Sequence, residues 1–70
     1  MSVCYKKLWK LLIDKDITRA ELQKKTGVAS STFSKIKNNE FVSLEVLIRI
    51  CCVLECGLDD ILEIERERDN

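Results

Sequence analysis

The stretch from Thr18 to Asn38, TRAELQKKTGVASSTFSKIKN, constrains the fold more than any other part of the chain, because it fixes both ends of one short helix and the start of the next. Glu21 follows Thr18 by three residues. At that spacing a threonine oxygen accepts an otherwise unpaired helix N–H while the glutamate reaches back to the cap. A second helix of the chain therefore starts at about Arg19, with Leu22 as its core anchor. Gly27 ends it, since glycine enters the left-handed conformation that stops a helix without steric cost. The chain then turns sharply through Val28 and Ala29, and Ala29 or Ser30 opens a third helix. Helices this short are marginal alone and must pack on neighbours.

Helical projection of the third helix puts Ala29, Phe33 and Ile36 on one side and Ser31, Ser34, Lys35 and Asn38 on the other. The outward side is small, polar and cationic, with no acidic group before Glu40. Two short helices about a tight turn, the second carrying such a face, is the arrangement that presents a helix to the major groove of DNA. A face without carboxylates approaches phosphate without repulsion. Asn38 and Asn39 supply the next break, because asparagine tolerates the left-handed region.

The remaining segments also read as helices, as expected for a chain with two glycines and no proline. Tyr5 to Lys15 is amphipathic, with Tyr5, Leu8, Trp9 and Leu12 on one side and Lys6, Lys10 and Asp14 on the other. Trp9 belongs to the core or its rim. Ser43 to Cys56 forms the central helix, capped by Ser43. Its main stripe is Leu44, Leu47, Ile50, Cys51 and Leu54, extended by Val46 and Val53. Ile48 and Cys52 share a flank with Glu45 and Glu55, where a neighbouring subunit is one candidate cover. Gly57 is expected to end this helix, and Leu58, Ile61 and Leu62 form the apolar edge of a short fifth helix capped by Asp59 and Asp60. The charged tail, about 65–70, should fray.

The formal net charge is zero, but it is unevenly distributed. Residues 1–38 hold nine Lys/Arg and three Asp/Glu, a balance of +6, whereas residues 39–70 hold three and nine, a balance of −6. The basic half contains the candidate reading helix, with Lys24, Lys25, Lys35 and Lys37 inside the motif. Such polarity orients a protein against phosphate.

Four cysteines raise disulfide and zinc readings. With no leader and no transmembrane run, the expected location is cytoplasmic, where thiols stay reduced. Cys51, Cys52 and Cys56 fall on one helix rather than on loops that could wrap an ion, and the chain has no histidine. Free cysteine instead packs as a small apolar residue, with Cys52 turned toward the polar side. An enzyme is disfavoured. No Gly-rich phosphate loop and no converging carboxylate pair is present, and no cofactor, metal or small-molecule ligand is expected.

These residues resemble the Cro and phage-repressor (XRE-type) helix-turn-helix regulators, especially small single-domain members. The resemblance spans nearly the whole chain: LWKLLIDK, TRAELQKKTGV, SSTFSKIKNNE, LEVLIRIC and the closing CGLDDILE. Gly27 matches the turn glycine, Leu22 and Phe33 match buried positions, and Ile36 matches the apolar residue near the end of the reading helix. Gln23 stands where the family usually has alanine, with room to direct its amide outward, and Asn39 replaces a common glycine. The resemblance implies an all-α, five-helix repressor-like domain over residues 1–70 with the motif at about 18–38. It implies base-edge contacts from Ser30, Ser31, Ser34 and Lys35, a phosphate contact from Arg19 and a backbone contact from Asn38. Lys37 and Lys25 add charge.

The expected function is a sequence-specific DNA-binding transcriptional regulator, a repressor that occupies an operator through helix 29–37 in the major groove of double-stranded DNA. A chain of 70 residues buries a modest core, so a homodimer is expected. The competing reading is an antitoxin-like or accessory protein-interaction module on the same scaffold, using Ile48, Cys52 and the acidic half.

Overall fold

In the computed structural model, which describes residues 2–66, four helices run in sequence as α1 (Lys6–Asp14), α2 (Arg19–Thr26), α3 (Ser30–Lys37) and α4 (Leu44–Leu54). A 3-10 turn, Leu58–Asp60, follows. Strands β1 (Ser2–Cys4) and β2 (Glu63–Glu65) flank the helices and pair with each other.

Each helix end has a local physical cause. Thr18 and Glu21 form both halves of the capping box at α2, and Ser43 Oγ accepts the Val46 N–H at α4. At the other ends the chain turns through left-handed residues: Asp16 after α1, Gly27 after α2, Asn39 after α3 and Glu55 after α4. After α1 and α3 the closure has the paired bonds of a Schellman motif. Ile17 and Asp16 donate back to the Leu12 and Ile13 carbonyls, and Glu40 and Asn39 donate back to those of Lys35 and Ile36. Gly27 makes the simpler single bond to the Gln23 carbonyl.

The core is one cluster drawn from every helix: Tyr5, Leu8, Leu12, Leu22, Val28, Phe33, Ile36, Leu47, Ile50, Leu54 and Ile61. α2 packs against α4, and both α1 and α4 rest on the 3-10 turn. Buried Tyr5 fastens the far side of the motif to α1. Its hydroxyl donates to the Glu40 carbonyl at 2.9 Å, and its backbone N–H donates to Asn39 Oδ1 at 3.0 Å.

Several expectations are corrected. The chain is mostly helical rather than all-α, and among the described residues there is no full fifth helix. Asp60 Oδ2 accepts the Gly57 N–H at 2.9 Å, closing a single tight turn in which Ile61 alone is fully buried. The chain then extends as β2, antiparallel to β1 in the register Ser2↔Glu65, Val3↔Ile64 and Cys4↔Glu63. Glu65, expected to begin a fraying tail, is thus a strand residue, while 67–70 lie outside the described residues. α4 stops at Leu54 rather than Cys56, because Glu55 and not Gly57 adopts the left-handed turn. Leu44, assigned to the main stripe, is 59% exposed at the first position of α4. Ala29 is the exposed N-cap of α3, and Val28 fills the core place expected of it.

Candidate nucleic-acid interface

The turn between α2 and α3 is locked by one buried side chain. The Thr26 hydroxyl donates toward the Leu22 and Gln23 carbonyls at 2.9 and 3.1 Å, and its oxygen stands 3.4 Å from the Val28 N–H it accepts. One hydroxyl therefore bridges the last turn of α2 and the first residue beyond Gly27. Gln23 adds a second tie. Its amide lies at the surface and is engaged there: Nε2 donates to Ser30 Oγ at 3.1 Å, joining α2 to the first residue of α3.

α3 is seated by Phe33 and Ile36, both buried, and leaves Ser30, Ser31, Ser34, Lys35, Lys37 and Asn38 exposed. Ser31, Ser34 and Lys35 follow one another at helical spacing on the outward side, clear of the core. Ser30 lies at the helix start with its oxygen engaged by Gln23, which leaves the hydroxyl proton free to donate. Asn38 terminates α3, and its backbone N–H is directed back to the Ser34 and Lys35 carbonyls. Lys24 and Lys25 occupy the last turn of α2, and Lys35 and Lys37 that of α3, where cations meet the negative end of the helix dipole. Among the described residues none of these lysines lies within ion-pairing distance of a carboxylate, although Glu21 stands four positions before Lys25 on α2. Among the described residues the one ion pair is Glu45 with Arg49 on α4, at 2.9 Å.

Arg19 opens α2 and lies 4.0 Å above the Trp9 ring of α1. Trp9 meets Phe33 edge to face at 6.0 Å, and the Lys37 ammonium is 5.6 Å from the Phe33 ring. Every residue expected in the interface is therefore exposed and lies on or beside the α2–α3 pair. Two neighbours escaped the sequence reading. Trp9 is ten positions from Arg19, and no helical spacing links residues on separate helices. Phe41 is 69% exposed and lines a recess of about 270 Å³ with Thr32, Lys35, Val42, Ser43 and Val46. Its one available signal was a large aromatic in a polar loop.

Away from the motif, the Cys56 backbone N–H donates to the Cys51 carbonyl at 3.0 Å, and burial pushes the Cys51 thiol up to about 11 and raises that of Cys56. Cys52 is exposed, as its place on the polar flank predicts.

The sequence matches the model of the Cro/C1-type helix-turn-helix DNA-binding domain over residues 7–67. The chain belongs to the Cro/C1-type helix-turn-helix family. Its fold is also similar to the crystal structure of the transcriptional regulator VanUg (Form II). That match has a TM-score of 0.92 and 52% sequence identity, over 94% of this chain and 88% of the other. No curated protein matches the sequence. Membership of the Cro/C1-type family makes the domain over residues 7–67 a helix-turn-helix DNA-binding domain. Among the described residues no helix is long and apolar enough to cross a membrane.

Proposed function

We propose that this chain is a sequence-specific transcriptional regulator that represses by occupying an operator, with α3 in the major groove of double-stranded DNA. The observation that carries the reading is the chemistry of the α3 outer face: Ser31, Ser34 and Lys35 stand exposed together with no carboxylate on that helix. A solvated face of a surface helix ordinarily mixes acids with bases. In this reading Ser30, Ser31, Ser34 and Lys35 meet base edges, while Arg19, Lys37 and Asn38 meet the phosphate backbone. The family and the similarity to VanUg, a transcriptional regulator, support regulation as the role.

The working unit is a homodimer. α4 supports this by exposing Leu44, Ile48 and Cys52 at four-residue intervals, with half-exposed Leu58 adjoining across a shared groove. A dimer reads two half-sites about one helical turn, roughly 34 Å, apart.

Selection of bound duplexes from a random DNA pool tests the function. An enriched motif is expected, with Lys35→Ala costing about 1–3 kcal/mol and relaxing preference at one base pair. Ser31→Ala should shift preference at a neighbouring position. No enriched motif, with affinity unaffected by either change, would overturn sequence reading. Light scattering coupled to gel filtration tests the dimer, and a monomeric mass at high concentration counts against it.

A further inference from the structure

Trp9 is supplied by α1, outside the α2–α3 pair, yet it sits where the outermost cations of that pair are organised. The Arg19 guanidinium carbon lies 4.0 Å from the Trp9 ring centroid. Trp9 crosses Phe33 with an interplanar angle of 71°, and Phe33 lies beneath the Lys37 ammonium. Arg19 is the first residue of α2 and Lys37 the last of α3. Cations at the two extremes of the motif thus rest on a single aromatic pair. Arg19 is exposed, and among the described residues no carboxylate lies within ion-pairing distance of its guanidinium.

Stacking has a particular consequence for an arginine. The guanidinium is planar, and its N–H donors lie in that plane. A ring against its face therefore consumes none of them and leaves the edge open for two parallel bonds to a phosphate. An unsupported arginine would sample many rotamers and lose that freedom on contact with the backbone. A stacked one has lost much of it beforehand, so binding is opposed less. Lysine at the same position would keep the charge but not the stacking plane or the fork.

Resting on the DNA-binding function proposed above, we infer that Trp9 is a positioning residue for DNA binding: it holds Arg19 in place to receive a backbone phosphate, without contributing a contact of its own. Phe33 extends the support to Lys37 from within the core. The first helix, which has no part in reading bases, thereby sets the affinity of the motif for the backbone.

A double-mutant cycle with salt titration tests this, using a labelled mixed-sequence duplex of roughly two helical turns. Arg19→Ala should weaken binding and make the salt dependence shallower by about one phosphate contact. Trp9→Leu should weaken binding about two- to fivefold at an unchanged salt slope, because the phosphate contact persists but is less prepared. In the Arg19→Ala background the same Trp9 change should have no further effect. Arg19→Lys should retain the slope and be less sensitive to Trp9, because an ammonium meets the ring as a point charge and does not stack on it. Trp9→Phe, which keeps an aromatic packing surface, should fall between wild type and leucine, and thermal melts identify any variant whose fold is disturbed. Indole emission of the wild type should change as duplex is added.

Equal Trp9→Leu losses with and without Arg19 would overturn the inference, since Trp9 would then act through packing alone. So would unchanged affinity of a folded Trp9→Leu protein. Those outcomes leave wild-type binding intact. Failure of the wild type to show any salt-dependent binding would instead bring down the DNA-binding reading, and this inference with it.

Discussion

Asn39 couples the end of the reading helix to the start of α1, and its replacement separates two energies. Its backbone is left-handed, with φ at 57°, and its Oδ1 accepts the Tyr5 N–H at 3.0 Å. Alanine loses a hydrogen bond worth about 1 kcal/mol. It also places a Cβ-bearing residue without a local polar partner in the left-handed region, at about 1 kcal/mol more. Asn39→Ala should therefore destabilise by about 2 kcal/mol, lowering the melting temperature by about 8–16 °C for a domain of this size. Asn39→Gly loses the same bond but relieves the backbone, so the two effects nearly offset and the change should stay within about 0.5 kcal/mol. Glu55 is the control. It holds the corresponding left-handed position after α4, with φ at 53°, and is exposed. Glu55→Gly should stabilise by about 0.5–1 kcal/mol. Urea and thermal denaturation followed by circular dichroism measure all three. Equal losses for glycine and alanine at position 39 would mean that the hydrogen bond outweighs backbone conformation, and a harmless Asn39→Ala would refute the reasoning outright.

The capping box should impose an acid limit on α2. Backbone and side-chain hydrogen bonds from Thr18 hold the Glu21 carboxyl below its ordinary value of 4.5. A lowered folded-state pKa contributes stability that is present above the unfolded value and is lost as pH falls through the folded one. The stability difference between wild type and Glu21→Gln should therefore be constant above about pH 5 and change only below it; a difference that varies across neutral pH would contradict the assignment. The cysteines should separate by reactivity. With iodoacetamide at mildly alkaline pH, mass spectrometry of the native protein should find Cys52 modified first, because it is exposed, and Cys51 last, because burial suppresses its thiolate. Comparable rates at the two sites would mean that α4 opens readily.

What the sequence determined by itself was local. The Thr18/Glu21 box, the left-handed Gly27 and Asn39, and the burial of Leu22, Phe33 and Ile36 all depend on residues within a few positions of one another. Helix start, helix stop and the outward face of α3 follow from propensity and a 3.6-residue repeat, whatever the rest of the chain does. That is why the motif and its exposed serines and lysines were legible in advance.

Tertiary structure decided everything that joins distant residues. β1 and β2 are three residues each, too short for a periodic signal, and they exist because the fold brings Val3 opposite Ile64. The glutamates around Ile64 read locally as a charged tail, and only the partner strand supplies the missing backbone bonds. Burial of Ile61 replaced a fifth helix by a single turn. Packing also selected Glu55 over Gly57 to end α4, against the intrinsic preference for glycine. The stacking of Arg19 on Trp9 is of the same kind. Each residue declared its own chemistry, but only the packing of α1 against the motif put the ring beneath the cation.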